Sequence, residues 1–498
     1  MAAIRYIFIV VIQVLVASMT KKTTKKIIQS EFKLAEENLE FCWNFLSDLK
    51  ALSYHDNNFV DRLLKFQETL ATTIFRLQSI RNNIISEEKN YIKKKDSYSY
   101  DWFRSKMKLL SNFKKGIDSV VNMSKSFGDA FAYFFYQFDE ELLSKHLNHQ
   151  RIINDTADIG KRGELEFIKN IKHIEGHFTL FHDITNTLRY GDFSFINLKT
   201  LKVEKIGELK TQKVDSQTLN LSLTYFKRDD IDKKNKPLEN LELEKTRNGR
   251  QILGMANLLF NEKGENDRRK KLENPTYSKE IEKLLKSSRV NQSKYIQVSE
   301  GLVFISLKSR KTSLYNNIFH KDFTKYGVND TFKEIYVKAV KKLIKKESKN
   351  NGIIIGQLLY NPDLTDKNTP GTVPLFWHPI DSNELKQMYF LNTIVVSLFN
   401  PIHLIEDIEK LGYFVDSKYS DKKREDVKPT KGIDRFDLFI SYIINFLMTE
   451  SFVIKSIQEI DKEYGKGING QGAQILVKLQ QKFDIIPAAN NGNRCTSL

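Results

Sequence analysis

Two carboxylates and a lysine stand close together in the segment GDFSFINLKTLKVEKIGELKTQ, residues 191–212. Its pattern predicts two strands joined by a turn, and that turn brings Asp192 near Glu208. Residues two apart in a strand point to the same face, so Glu208 and Lys210 project together. Converging carboxylates repel each other unless a cation lies between them, and oxygen ligands of this kind suit Mg²⁺. The spacing therefore predicts a metal site.

The Glu-x-Lys spacing by itself indicates nothing in a chain this rich in both residue types. It recurs in segments with a helical pattern, for example at Glu384 and Lys386. In a helix two residues at this spacing point about 200° apart, so they do not form a pair. Strand geometry and the nearby Asp192 are what favour Glu208 and Lys210. The alternative is an ordinary hairpin whose charged residues face solvent.

A third carboxylate belongs to the predicted helix GKRGELEFIKNIKHI. Helical steps from Glu164 meet apolar residues: Phe167, Ile168, Ile171 and Ile174. Helical steps from Glu166 meet polar residues: Lys169, Asn170 and His173. Glu164 is therefore expected on the stripe that faces the sheet, where a carboxylate needs a partner such as a metal site. The alternative is an acid near the helix N-terminus, favoured by the helix dipole.

The bulk composition is that of a globular protein with an anionic partner. The formal net charge is +17 and the isoelectric point is near 9.3, which favours nucleic acid or a membrane surface. The alternative is a solvated lysine surface, since the whole sequence leans towards Lys, Asn and Ile. The two cysteines, Cys42 and Cys495, fit no zinc spacing and no disulfide framework.

Periodicity and composition predict a multidomain chain of the α+β or α/β class. A long stretch with helical periodicity comes first, and it contains no proline before Pro237. A helix and several strands follow, which is typical of a mixed α/β unit around a central mixed sheet. The predicted regions are an apolar leader or misassigned start (1–20), a helical domain (21–154), the α/β core (155–318), a mixed, mostly helical accessory domain (319–485) and a disordered tail (486–498).

The N-terminal apolar run RYIFIVVIQVLVAS leaves three interpretations open. It is too short for a comfortable membrane span, which needs about 20 residues. It could be a signal peptide or anchor with Arg5 as its charged end. It could be a translated leader if Met19 is the true start, or a buried helix. We expect a cytoplasmic protein with no stable membrane span.

The order of these motifs resembles the PD-(D/E)xK, or restriction-endonuclease-like, nuclease superfamily across residues 155–308. In that pattern a helix Glu precedes a strand Asp, and Glu-x-Lys follows on the next strand. The resemblance implies that Glu164 is the helix acid, that Asp192 and Glu208 bind the metal, and that Lys210 is the catalytic lysine. The sequence departs from the pattern in having Gly-Asp where the family name has Pro-Asp.

The same resemblance implies further site residues, a cofactor and a partner. The backbone carbonyl of Leu209 would be a metal ligand, and Gln251 on a following helix would approach the site. Mg²⁺, or Mn²⁺ in its place, would serve hydrolysis of phosphodiester bonds, with DNA favoured over RNA. A bacterial defence or mobile-element role, and a protein partner for the helical N-terminal or the C-terminal region, are expectations by analogy. The alternative is a catalytically silent scaffold that binds nucleic acid or protein through a nuclease-like core.

Overall fold

The structure, a computed structural model of the 498-residue chain, divides it into two compact units. The described residues are 4–11, 23–51, 58–136, 143, 146, 158–171, 173–198, 200–215, 218–227, 276–319, 328–344, 353–362, 374–415, 419, 431–433, 436–445, 447–465 and 485–486. The first unit consists of Met1–Lys270, Ser313–Lys321 and Asn361–Trp377. The second unit consists of Lys271–Thr312, Asp322–Tyr360 and His378–Leu498. These boundaries differ from the predicted ones at residues 154 and 318.

Three long helices open the first unit: α1 (Lys25–Lys50), α2 (Phe59–Lys93) and α3 (Tyr100–Phe135). Each carries apolar residues at three- and four-residue steps and packs against the other two. The aromatic residues near the end of α3 lie in the core, and Phe131 and Phe135 are fully buried. The prediction of a helical N-terminal region is therefore confirmed.

A five-stranded sheet in the order β1-β5-β4-β3-β2 completes the first unit, together with helix α4 (Asp158–Asn170). Its strands are β1 (Ile4–Val11), β2 (His177–Phe181), β3 (Phe193–Asn197), β4 (Lys202–Lys213) and β5 (Thr218–Lys227). Every pairing in this sheet is antiparallel, so the prediction of a mixed sheet is wrong for these strands. The links between β3 and β4 (residues 198–201) and between β4 and β5 (residues 214–217) are four residues each. A parallel pair needs a crossover of about a dozen or more residues.

Residues Ile4–Val11, the described part of the N-terminal apolar segment, form the edge strand of this sheet. Ile4 pairs with Tyr225 and Val11 pairs with Thr218, so β1 runs along β5. None of the three interpretations made from the sequence included a strand. A short apolar run fits a strand or a buried helix equally well by periodicity, and pairing with β5 is a long-range contact that periodicity does not report.

The helices and the sheet of the first unit share one core. The ring of Phe178 on β2 lies 6.2 Å from that of Phe131 on α3. The buried amide of Gln67 on α2 donates to the carbonyl of Thr179 (2.9 Å) and accepts from the amide of Phe181 (2.7 Å). These contacts tie the helices to β2, which is why no domain boundary lies between them.

The second unit contains a four-stranded antiparallel sheet in the order β6-β7-β9-β8 and a small sheet of β10, β11 and β12. Its helices are α5 (Ser278–Ser287), α6 (Val328–Leu343), α7 (Ser382–Tyr389), α8 (Pro401–Lys410), α9 (Phe436–Ile444) and α10 (Glu450–Gly465). Its strands are β6 (Gln292–Gln297), β7 (Leu302–Lys308), β8 (Ile355–Leu358), β9 (Thr393–Phe399), β10 (Tyr413–Val415), β11 (Lys431–Ile433) and β12 (Ile485–Ile486). Its core includes Val303, Ile305, Ala339, Leu343 and Leu398.

The run NELKQMYFLNTIVVSLFN changes from helix to strand within three residues: α7 ends at Tyr389 and β9 begins at Thr393. Leu391 has φ +59°, a left-handed conformation that stops a helix, and the β-branched run after it suits a strand. A 3₁₀ turn, Leu375–Trp377, belongs to the first unit.

Glu450, at the start of α10, makes the stability of the second unit depend on pH. Burial raises its pKa to about 7, and the charges of Asp407 and Glu300 add to the rise. The folded protein therefore holds a proton that the unfolded chain, with a pKa of about 4.3, releases earlier. Stability should fall as pH rises from about 4.3 to about 7, by about 3–4 kcal/mol in total.

We expect Glu450→Gln to remove this fall and to raise stability at pH 8. Urea unfolding of the second unit at pH 5 and pH 8 measures both effects. Glu334→Gln on the exposed face of α6 is the control and should leave the pH dependence unchanged. If the free energy of unfolding depends on pH equally in wild type and Glu450→Gln, Glu450 is not the source of the pH dependence.

Among the helices in the described part of the chain, none has both the length and the apolarity that crossing a bilayer requires.

Candidate active site

Asp192 is fixed at the start of β3 by three main-chain and side-chain contacts. Its amide donates to the carbonyl of Gly207 (2.8 Å), and its carbonyl accepts from the amide of His182 (2.9 Å). Its Oδ2 accepts from the amide of Leu209 (2.7 Å), so its carboxylate lies against the middle of the Glu-Leu-Lys tripeptide. The residue before it, Gly191, has φ +68°. Proline is locked near −65° and could not occupy this position, whereas glycine adopts it readily.

Glu208 and Lys210 contact each other on one face of β4. The Glu208 side chain is 10% exposed and that of Lys210 is 58% exposed, so a buried carboxylate is covered by an ammonium group that reaches solvent. Leu209 lies between them and is buried. Its amide points towards Asp192, and its carbonyl points to the same side, because both groups of a strand residue face the same neighbour. The structure thus brings Asp192 to Leu209, and Glu208 to Lys210.

Glu164 lies on α4, which packs closely on β4. A Cβ added at Gly163 would overlap the hydroxyl of Thr211, so glycine permits this approach. Alternate strand residues face opposite sides, which places Glu208 and Lys210 on the face of the sheet away from α4. Helix α4, which carries Glu164, therefore packs on the face of the sheet opposite to Glu208.

The face that carries Glu208 is the one covered by α3. Ser194 pairs with Ile206 across β3 and β4, and its hydroxyl contacts that of Tyr136 (2.6 Å), just after α3. Cross-strand partners share a face, and Glu208 and Lys210 follow Ile206 at even spacing.

A buried hydrogen-bond chain holds the connection between β2 and β3, which ends at Asp192. Nδ1 of His182 donates to the carbonyl of Gly191 (3.1 Å), because a carbonyl can only accept. Its Nε2 must then accept from the hydroxyl of Ser194 (2.6 Å), which in turn accepts from Tyr136 (2.6 Å). His182 and Ser194 are fully buried.

The same chain continues through His146, which is also fully buried. Its Nε2 donates to the hydroxyl of Tyr136 (3.1 Å), and its Nδ1 accepts from the amides of Arg189 and Tyr190 (both 3.3 Å). Each member therefore has one donor and one acceptor role that its neighbours dictate. Buried networks in which every role is filled favour a single conformation of the loop they hold.

Asp129 on α3 anchors the middle of the same connection. Its Oδ1 accepts from the amides of Asn186 (2.8 Å) and Thr187 (2.9 Å), and its Oδ2 accepts from the side-chain amide of Asn186 (3.0 Å). Burial raises the pKa of Asp129, and these hydrogen bonds oppose the rise. The helices thus act as a scaffold for the loop that presents Asp192.

These anchoring residues were missed by sequence reasoning: Gln67, Asp129, Tyr136, His146, His182 and Ser194. No regular spacing links them, because their partners lie anywhere from 9 to 114 residues away in the chain. Gln251, the remaining predicted site residue, lies outside the described residues.

The donor set around Asp192 suits a hard cation. Two carboxylates, Asp192 and Glu208, and the carbonyl of Leu209 are all oxygen ligands, and Mg²⁺ is commonly held by one or two carboxylates with waters. In the part of the chain that the structure describes, no group of three or more His, Cys, Asp or Glu side chains could hold a metal ion.

Comparison with known proteins adds no relative: the sequence matches no protein-family model, no curated protein and no solved structure.

Proposed function

We propose that this protein is a Mg²⁺-dependent nuclease of the PD-(D/E)xK type that hydrolyses phosphodiester bonds, with DNA the favoured substrate. The observation that carries the proposal is the docking of the Asp192 carboxylate on the amide of Leu209. This contact joins the acid at the start of one strand to the Glu-Leu-Lys tripeptide of the next.

The chemistry assigns separate tasks to the three charged side chains. Asp192 and Glu208, with the Leu209 carbonyl, would hold the cation, which when bound polarises the phosphate and lowers the pKa of a water. The Lys210 ammonium contacts Glu208 and reaches solvent, so it is placed to orient that water or to stabilise charge on the phosphoryl oxygens. The formal charge of +17 favours association with a polyanion.

The test is hydrolysis of labelled DNA and RNA by the purified full-length chain. We expect cutting with Mg²⁺, none with EDTA, and recovery when excess Mg²⁺ or Mn²⁺ is added back. Asp192→Asn, purified in parallel, is the control for contaminating nuclease, since asparagine can still accept from the Leu209 amide but carries no charge. A wild type that binds nucleic acid without cutting it would overturn the proposal and favour the silent scaffold.

A further inference from the structure

The tip of the helical hairpin formed by α2 and α3 is an exposed aromatic and cationic surface. We define the hairpin tip as residues 89–108, which contain the end of α2, a short turn and the start of α3. Tyr100 is 73% exposed, Ile92 53% and Trp102 43%. Large apolar side chains this exposed indicate an interaction surface when they occur together.

The aromatic rings of the tip are held in a fixed arrangement. Tyr98 and Trp102 stack with centroids 4.5 Å apart and an interplanar angle of 24°. Tyr91 is buried beneath them and meets both rings edge-on, at 5.6 and 5.4 Å. Lys106 lies over the Tyr91 ring and pairs with Glu87 (3.0 Å). These contacts within the protein therefore fix the arrangement of the rings without a bound partner.

Cations surround these rings. The exposed basic residues of the tip are Lys89, Lys93, Lys94, Lys95, Arg104 and Lys108, and its exposed acids are Asp96 and Asp101. The start of α1 adds two more exposed lysines, Lys25 and Lys26. It is joined to α2 beside the tip, where the amide of Thr23 donates to Glu87 (2.9 Å).

From this surface we propose that the hairpin tip binds single-stranded nucleic acid, with bases stacked on the aromatic rings and phosphates paired with the lysines. Aromatic faces interleaved with cations are what a sequence-tolerant nucleic-acid groove needs. An interfacial membrane helix instead buries one continuous apolar face, whereas here Lys93, Lys94 and Lys95 separate Ile92 from Tyr100. That the nucleic acid bound at the tip is also the substrate rests on the proposed nuclease function.

The tip lies far along α2 and α3 from the places where these helices meet the sheet and the connection after β2. α2 meets β2 at Phe75, whose ring lies 5.9 Å from that of Phe181, and Tyr91 is about 24 Å further along the helix. α3 meets the connection after β2 at Gly128, and Trp102 is about 39 Å from it along α3.

The experiment measures binding of a fluorescein-labelled 30-nucleotide single strand to the full-length chain in EDTA, where no cutting occurs. We expect Trp102→Ala to weaken binding about 5- to 100-fold, through loss of stacking. Tyr336→Ala, which removes an aromatic side chain 41% exposed in the second unit, is the matched control and should not change binding. Trp102→Phe should restore most of the affinity.

A double variant, Lys94→Ala with Lys95→Ala, tests the phosphate contacts. We expect the slope of log Kd against log salt to fall by about 1.4. Lys279→Ala with Lys283→Ala on α5, also exposed, is the charge-matched control and should leave the slope unchanged. Thermal unfolding of each variant checks that the fold is kept.

The outcomes separate this inference from the proposed function. If the wild type binds nucleic acid through the tip but never cuts it, the proposal that the tip binds nucleic acid is supported and the proposed nuclease function is overturned. If the wild type cuts nucleic acid and the tip variants bind it as tightly as the wild type does, only the proposal that the tip binds nucleic acid is overturned. Vesicles of phosphatidylcholine and phosphatidylserine are the second probe: loss of vesicle binding in the tip variants, with oligonucleotide binding intact, would make the tip a membrane surface and overturn the proposal.

Discussion

Lys210→Ala is expected to lower the rate of Mg²⁺-dependent hydrolysis by about 10²- to 10³-fold, the usual effect of removing one charge-stabilising donor from an active site. The side chain is 58% exposed, so its loss should affect the fold little by itself. Its ammonium contacts Glu208 on the same strand, and alanine removes that contact.

The chain offers a matched control for this variant. Residues 384–386 repeat the tripeptide Glu-Leu-Lys, but on helix α7. Lys386→Ala removes the same side chain from the same local sequence, and should leave hydrolysis unchanged. An equal loss of activity in both variants would show that bulk positive charge, and not the Lys210 position, is what matters.

Destabilisation of the buried Glu208 by loss of its partner is the competing explanation for a slow Lys210→Ala enzyme. Lys210→Arg separates the two, because arginine keeps the ion pair but presents a planar group where the ammonium was. We expect Lys210→Arg to unfold at the wild-type temperature while its rate stays well below wild type. Wild-type rates from this variant would mean that Lys210 acts only by stabilising Glu208.

The parts of the site that the sequence predicts are those that depend on local geometry. Strand alternation is enough to place Glu208 and Lys210 together and Leu209 in the core. The turn between β3 and β4 is short, so it also brings Asp192 to the correct end of the neighbouring strand. Helix periodicity places Glu164 on the stripe that faces the sheet, but it does not tell which residues of that sheet the stripe meets.

The parts that escaped prediction depend on contacts between distant segments. The edge strand β1 exists because it pairs with β5, and β9 exists because it lies between β7 and β8. The chain from Tyr136 through Ser194 to His182 joins residues from α3's end, β3 and the turn after β2. Each of these residue types is common in helices, strands and turns, so only the folded structure gives the combination a meaning.

Gly128→Ala is expected to destabilise the first unit and to slow hydrolysis at the same time. A Cβ at this position would overlap the carbonyl oxygen of Ile184, in the 3₁₀ turn His182–Ile184 that follows β2. The backbone there cannot rotate away as a side chain could. We expect a loss of about 2–4 kcal/mol, which combines overpacking and disturbed buried hydrogen bonds and exceeds the gain of about 1 kcal/mol from helix propensity.

The activity should fall because the displaced turn leads directly to Asp192. Asp129, the next residue on α3, accepts from the amides of Asn186 and Thr187, so pushing the turn outward breaks these contacts as well. The carboxylate of Asp192 would then lose its place on the amide of Leu209. A rate of hydrolysis equal to wild type in a folded Gly128→Ala protein would contradict the scaffold role of α3.

Gly116→Ala on the same helix is the control: it shows whether the loss of activity depends on the turn after β2 or on any added methyl group in α3. Its added Cβ would meet the ring of Phe319, the last residue of the short helix Leu314–Phe319, and a ring can turn aside. We expect a smaller loss of stability, about 0–2 kcal/mol, and an unchanged rate of hydrolysis. Chemical denaturation and initial rates, measured on both variants below their unfolding transitions, give the two quantities independently. Because the two variants share one helix and one chemical change, a difference in rate between them would trace to the turn that holds Asp192, and would make the N-terminal helices part of the active-site architecture.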